Sequence, residues 1–243
     1  MQTIILGDGH LGWAIATAAA PRGQRMPIVG RPAGTRHDRA SFAGADLVID
    51  ASRGDAVMAN VTSALDAGVR RFVIATTGWG ADRDVVERAL RGADATAVVS
   101  ANFSIGVALF GRLVERAAEL FGGVAGFDPF LVEWHRRAKV DRPSGTALEL
   151  ARRLAVGRQS HAQKHDLEIV SIRAGASPGM HLVGFDAAGE TVELRLTARD
   201  RSAYATGALA AADWLRGATR TSGLHPFDPV VDDLLTRPAA VAA

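Results

Sequence analysis

The chain has 243 residues, 48% of them apolar and 22% charged, the balance of a globular protein with a sizeable core. It has no cysteine, which excludes disulfides, thiolate nucleophiles and cysteine metal sites. Its 28 basic residues stand against 26 acidic ones, a net charge of +2 with the arginines scattered, so no basic face points to a nucleic-acid partner.

The chain opens MQTIILGDGHLGWAIATAAA. An apolar run from Thr3 to Leu6, then Gly7, Gly9 and Gly12 in G-x-G-x-x-G spacing, then an alanine-rich stretch predict strand, tight turn and helix. The glycines let the backbone approach a pyrophosphate seated at the helix N-terminus, where unpaired N–H groups face it. A ligand-free glycine turn would read the same in isolation; its place at the head of an alternating α/β pattern favours dinucleotide binding. The opening lacks a basic n-region and a cleavage site, and no apolar run reaches the ~18–20 residues of a membrane span, so a cytoplasmic location without a membrane partner is expected.

A second strand is predicted around Met26 to Val29, followed by Gly30 and Arg31. An acid at that strand end would grip a ribose 2′-hydroxyl, whereas an arginine accommodates a 2′-phosphate. No acid follows until Asp38, so Arg31, helped by Arg36, favours NADPH, with NADH possible; a solvated loop arginine is the alternative. Further apolar runs at Leu47 to Ala51, Phe72 to Ala75 and Ala97 to Val99 alternate with helical segments near residues 56–67 and 83–91. That alternation predicts a Rossmann-type parallel sheet covered on both faces. Ligands on such sheets bind beyond the carboxyl ends of the strands, which singles out Ala75-Thr76-Thr77-Gly78 and Ala101-Asn102-Phe103-Ser104.

The pattern changes after Ser104. A helix is predicted from about Val107 to Leu120, then strands at FLVEWH (Phe130 to His135), Glu168 to Arg173, Gly179 to Phe185 and Thr191 to Ala198. The last two flank DAAGE and predict an antiparallel hairpin. Ala203 to Arg216 reads as a closing helix. The expected architecture is α/β: residues 1–104, completed by about 201–243, form a dinucleotide-binding domain, and residues 105–200 form a smaller α+β substrate-binding and oligomerisation domain with a mostly antiparallel sheet.

The stretch EWHRRAKVDRPSGTALELARRL, Glu133 to Leu154, carries the chemistry. Of the 28 basic residues only Lys139 and Lys164 are lysines, and an ammonium, unlike a guanidinium, can give up a proton when its surroundings lower its pKa. On a strand, Leu131, Glu133 and His135 share one face. Ser144-Gly145-Thr146 leads into a helix, and the N–H groups of Ser144 to Ala147, left free at its start, would form a carboxylate cradle beside His135 and Lys139. Ordinary helix capping, a structural histidine and a solvated lysine remain the bland reading. No metal is expected.

The string E-W-H-R-R-A-K-V-D-R-P-S-G-T-A resembles the dihydrodipicolinate reductase signature E-x-H-H-x-x-K-x-D-x-P-S-G-T-A. The glycine turn, T-T-G at Thr76 to Gly78, A-N-F-S-x-G-V from Ala101, P-G-x-H at Pro178 to His181 and the closing helix agree in order, from residue 2 to about 235. The resemblance implies an NAD(P)H-dependent reductase of 4-hydroxy-tetrahydrodipicolinate in lysine and diaminopimelate biosynthesis, a homotetramer acting on a small dicarboxylate. By position it makes His135 the catalytic acid/base and Lys139 the proton donor. Ser144, Gly145 and Thr146 hold a substrate carboxylate, with Arg136 beside them and Thr77 between substrate and nicotinamide. Gly7, Asp8, Gly9, His10, Leu11 and Gly12 hold the pyrophosphate, and Ala75 to Thr77 with Ala101, Asn102, Phe103 and Ser104 line the nicotinamide side. Three departures stand out: Arg136 replaces the family's second histidine, the glycine turn is one residue short, and the segment from Val156 to Val170 is shortened. They leave open a relative that reduces another cyclic imine carboxylate. A non-catalytic NADP-binding protein is the reading from a different class.

Overall fold

The computed structural model describes residues 2–31, 36–157 and 167–236. Lys164 and most of the shortened segment lie outside them. The chain divides into two compact units: residues up to Ile105 together with those from Arg201 onward, and Gly106–Asp200.

The first unit alternates strands and helices: β1 (Gln2–Leu6), α1 (His10–Ala19), β2 (Ile28–Val29), β3 (Ala45–Asp50), α2 (Val57–Asp66), β4 (Arg71–Ile74), α3 (Arg83–Gly92) and β5 (Thr96–Val99). The second unit runs from α4 (Ile105–Gly122), which starts at the boundary, through β6 (Asp128–His135), α5 (Gly145–Gly157), β7 (Ile169–Arg173), β8 (Met180–Ala187) and β9 (Glu190–Thr197). The chain then returns to the first unit with α6 (Ser202–Gly217), β10 (Gly223–Pro226) and α7 (Asp228–Thr236).

In the first unit six parallel strands lie in the order β10-β5-β4-β3-β1-β2. Such a sheet must bury both faces, which is why its strands are continuous apolar runs rather than alternating ones. Ile4, Leu6, Val48, Phe72 and Ile74 pack with Val57, Val61, Val86 and Leu90 of α2 and α3. On the opposite face α6 packs against α1, and its Gly207 allows a close approach. A Cβ there would stand 1.7 Å from the Phe103 carbonyl oxygen. β2 is shorter than expected, with only Ile28 and Val29 pairing to β1. β10 was not foreseen: Gly223–Pro226 has little strand character of its own and is a strand because it pairs with Thr96–Val99.

The second unit carries a four-stranded sheet in the order β7-β6-β8-β9. β8 and β9 form the expected hairpin and β6 runs antiparallel to β8, while β6 and β7 pair in parallel, so the sheet is mixed. Period-two alternation sends Leu131, Val183 and Phe185 onto one face, where Phe110, Val114, Leu150 and Leu154 of α4 and α5 cover them. Residues between them point to the other face, where Trp134 is 37%, Val170 42% and Ile172 41% exposed. Gly184 lies on that face too, its missing side chain replaced by the ring of its cross-strand partner Phe130, which would meet a Cβ at 2.2 Å.

Gly207→Ala forces a methyl onto backbone that no rotamer change can move. The variant is expected to lose about 1–3 kcal/mol, read as a lower urea midpoint with an unchanged denaturant slope.

Candidate active site

At the carboxyl end of β1, Gly7 takes φ +103°, and a Cβ on it would meet the Ala51 carbonyl oxygen at 2.6 Å. Gly12 lies so close under the turn that its Cβ would come within 2.0 Å of the Gly7 carbonyl oxygen. These are positions a dinucleotide turn reserves for glycine. α1 starts at His10 with Gly9 as an extended N-cap and no capping side chain, so no side-chain oxygen competes there with a pyrophosphate.

Next to this turn a buried carboxylate organises the strand ends. Asp50, the last residue of β3, is 1% exposed. Its Oδ1 accepts from the Ser52 amide (3.0 Å), the Ser52 hydroxyl (2.6 Å) and the Thr76 hydroxyl (2.8 Å), and its Oδ2 from Asn60 (2.9 Å). The Thr76 side chain is thereby turned inward, whereas Thr77 is exposed at the same strand end. Asn102 folds its loop back, with its Oδ1 accepting from the Ser104 amide at 2.9 Å, and the buried Phe103 ring meets Phe227 edge-on at 5.0 Å. Ala75 is half-buried and Ala101 exposed; Arg31 is exposed, and Arg36 makes a loose ion pair with Asp66 at 3.5 Å.

In the second unit the centre is Glu133, which is 0% exposed. Strand register sets it opposite Ser171 of β7 and His181 of β8, while His135 stands opposite Arg173. Its Oε1 accepts from the Ser171 hydroxyl (2.6 Å), the Arg173 guanidinium (2.7 Å) and the Ser144 amide (3.0 Å). Its Oε2 faces His135 Nδ1 at 3.2 Å and His181 Nε2 at 3.8 Å without an aligned hydrogen bond, and both Oε2 and Nδ1 are buried without another partner. Burial pushes the Glu133 carboxyl up, but the hydrogen bonds from Ser144, Ser171 and Arg173 outweigh it and hold the pKa at about 2. Burial, with the charge of neighbouring His135, pushes His181 down to about 4, and burial also lowers His135. At neutral pH the cluster is an ionised carboxylate with two neutral imidazoles. Glu133, His135 and His181 place possible metal-ligand atoms within 4.8 Å of one another; the Arg173 guanidinium on the same carboxylate already supplies the positive charge a cation would bring.

Four residues after His135, the Lys139 ammonium grips Asp141 with both carboxylate oxygens, at 2.7 and 2.9 Å. That contact, first of all, holds the Asp141 carboxyl below its usual range, and the Gly145 amide adds to it. The start of α5 corrects one expectation. The Ser144 amide is taken by Glu133, and the Ala147 amide by the Ser144 hydroxyl at 3.2 Å, so these are not free donors. Buried Ser144 is the cap that ties α5 to the Glu133 cluster, and its hydroxyl lies 3.3 Å from His181 Nε2. Arg136 is exposed beside the histidine. Sequence reasoning had quoted Glu133 and His181 without giving them a role, and had passed over Ser171, Arg173 and Asp50. The period-two spacing of Glu133 and His135 was the available signal. A cavity of about 310 Å³ in the first unit, bordered by Ala18, Arg22, Leu209, Trp214 and Val230, touches none of the expected site residues.

A model of the dihydrodipicolinate reductase C-terminus matches residues 106–228, and a model of the N-terminus matches residues 23–103, so the glycine turn precedes the matched stretch. A 4-hydroxy-tetrahydrodipicolinate reductase from Rhodopseudomonas palustris (strain BisB5) is 37% identical over 204 residues, 78% of this chain and 73% of the relative. One from Methanosarcina barkeri is 33% identical over 198 residues, 77% of this chain and 73% of the relative. Among solved structures, a dipicolinate-bound dihydrodipicolinate reductase from Paenisporosarcina sp. TG-14 superposes with a TM-score of 0.71 at 20% identity, covering 93% of this chain and 97% of the other.

The buried cluster predicts acid lability. Below pH 6.5 an unfolded histidine takes up a proton that folded His181 refuses until about 4; below 4.5 an unfolded glutamate takes up one that folded Glu133 refuses until about 2. In both windows the unfolded state binds more protons, so stability falls as pH falls. Urea midpoints are expected to drop from pH 6.5 downward, and His181→Asn to flatten the part between 6.5 and 4. An unchanged slope in the variant would contradict this.

Proposed function

This chain belongs to the dihydrodipicolinate reductase family, and we propose that it reduces 4-hydroxy-tetrahydrodipicolinate with NAD(P)H by way of His135 and Lys139. It is an oxidoreductase of lysine and diaminopimelate biosynthesis, and its parallel-sheet unit is the NAD(P)-binding one. The observation that carries the residue roles is the Glu133 cluster, which joins His135, the start of α5 and His181 around one buried charge. A nicotinamide held by the first unit would supply hydride for the substrate ring, and a protein group would supply the proton to the neighbouring carbon.

The two candidates for that proton differ in charge. Lys139, an ammonium on Asp141, carries a proton to give, while His135, its pKa lowered by burial, rests neutral and can accept and return one. A substrate carboxylate would meet the donors that Asp141 now engages, the Lys139 ammonium and the Gly145 amide, with Thr146 beside them. Charge-assisted hydrogen bonds of this kind both bind and orient. Thr77, exposed beyond the end of β4, is assigned to the nicotinamide side of the first unit.

The second unit is also read as the self-association domain. Trp134, Val170 and Ile172 lie exposed on the uncovered sheet face, an apolar surface of the kind oligomers bury. The occupant is a second copy of the chain, and the homotetramer implied by the family is the assembly proposed. No described helix is long and apolar enough to cross a membrane, and a cytoplasmic location completes the reading. Exposed Arg136, in place of the family's second histidine, supports a second reading in which the substrate is another cyclic imine carboxylate.

The test supplies aspartate semialdehyde, pyruvate and the preceding synthase and follows oxidation of the reduced cofactor. Turnover is expected; folded, cofactor-binding protein that shows none would favour the second reading. In the same assay His135→Gln and Lys139→Met should each lower kcat by about 10² or more, and a near-normal rate in either variant would remove that residue from the mechanism. For the assembly, Ile172→Asp should lower the mass seen by light scattering, and an unchanged mass would place the interface elsewhere.

A further inference from the structure

Asp8 is chemically out of place in the turn where it stands. A carboxylate facing a pyrophosphate repels it, so an acid between Gly7 and Gly9 must serve by pointing elsewhere. The structure shows where it points. A Cβ built on Gly30 would come 3.2 Å from Asp8 Oδ2 and 3.6 Å from its carboxyl carbon. The carboxylate therefore lies against the backbone just past the carboxyl end of β2. Pairing puts it there: Leu6 is in register with Val29, and the Gly7 amide donates to the Val29 carbonyl at 2.9 Å, which leaves Asp8 beside Gly30. Asp8 is exposed and has no hydrogen bond or ion pair among the described residues.

The end of the second strand is where a dinucleotide-binding domain reads the adenosine ribose, with an acid for the 2′-hydroxyl or an arginine for a 2′-phosphate. At that strand end this chain has Gly30, with no side chain, and the neighbouring turn fills the space with a carboxylate. Arg31 makes no ion pair with it among the described residues. Its charge adds the smallest of the contributions that hold the Asp55 carboxyl low, the first being the hydrogen bond from Arg53.

We propose that Asp8 is the specificity-determining residue of the cofactor site: it accepts hydrogen bonds from the adenosine ribose hydroxyls of NADH and repels the 2′-phosphate of NADPH, so that NADH binds at least as well as NADPH. This rests on NAD(P)H binding by the first unit and not on the roles of His135 or Lys139. A binding experiment therefore tests it separately from turnover.

Dissociation constants for NADH and NADPH are measured by nicotinamide fluorescence on the full chain. The unaltered protein is expected to bind NADH as tightly as NADPH or more so; a preference for NADPH of about tenfold or more overturns the proposal. Asp8→Ala should weaken NADH by about tenfold, the scale of one hydrogen bond to a charged group, and leave NADPH unchanged or tighter. Equal changes for both cofactors overturn it. Should Asp8→Ala fail to fold, the isosteric Asp8→Asn, which removes the charge alone, must shift the ratio of the two constants towards NADPH. In the opposite sense, Arg31→Ala should weaken NADPH and spare NADH, and a loss confined to NADH would assign the ribose to Arg31 and refute the role of Asp8.

Discussion

A charge with no exposed surface has to be compensated where it stands, and in the second unit that charge is Glu133. Unpaired, an ionised carboxylate at this depth would be strongly destabilising. Its compensation comes from separate segments: Ser171 and Arg173 from β7, and the Ser144 amide from the start of α5. Satisfying one carboxylate therefore fixes several things together. It sets β7 in register with β6, anchors the first turn of α5, and leaves Oε2 aimed at the two histidines. Arg173 extends the tie, since it also donates to the Asp141 carbonyl at 2.6 Å and so fastens the loop that carries Lys139. His135 and the loop of Lys139 hang from one buried ion pair, and the same contacts serve stability and positioning.

The first unit solves a similar problem with Asp50. That carboxylate too sits at the carboxyl end of a central strand, buried, and takes its donors from the following loop, from α2 and from the end of β4. A parallel sheet leaves its strand-end loops without ladder partners, and a buried acid is one way to hold them together. The loops that approach a cofactor are fixed from below, and their exposed residues, Thr77 among them, keep their side chains available. This also explains why Thr76 is buried and Thr77 exposed, although they are neighbours in one motif.

Much of this was legible in the sequence because the signals are local. Alternation placed β6, β8 and β9, and the spacing of glycines placed the β1–α1 turn. The Ser-Gly-Thr run marked the start of α5. What escaped depended on partners distant in the chain. Glu133 meets Arg173 forty residues on, and nothing in EWH says that its first residue will be buried on a guanidinium. The Ser144 amide looked free because its acceptor arrives from β6, and β10 is a strand only through its pairing with β5. The parallel β6–β7 pair escaped for the same reason, since strand direction is set by the helix and loop between the strands rather than by alternation.

The departures from the family pattern follow the same physics. Arg136 replaces a histidine at a position that is exposed and, among the described residues, beside no compensating partner, so a larger cation is accommodated there. Glu133, His135, Lys139, Asp141 and Ser144 are each tied to at least one other member of the constellation, so a change in any of them would leave a buried or paired group unsatisfied. In the glycine turn Gly7 and Gly12 still meet close backbone contacts, and the Asp8 carboxylate lies against the backbone at Gly30. Arg136, the departure within the signature stretch, is exposed, whereas Glu133 is buried and binds several segments at once. An exposed side chain of this kind can change without disturbing the buried contacts that fix β6, β7 and the start of α5.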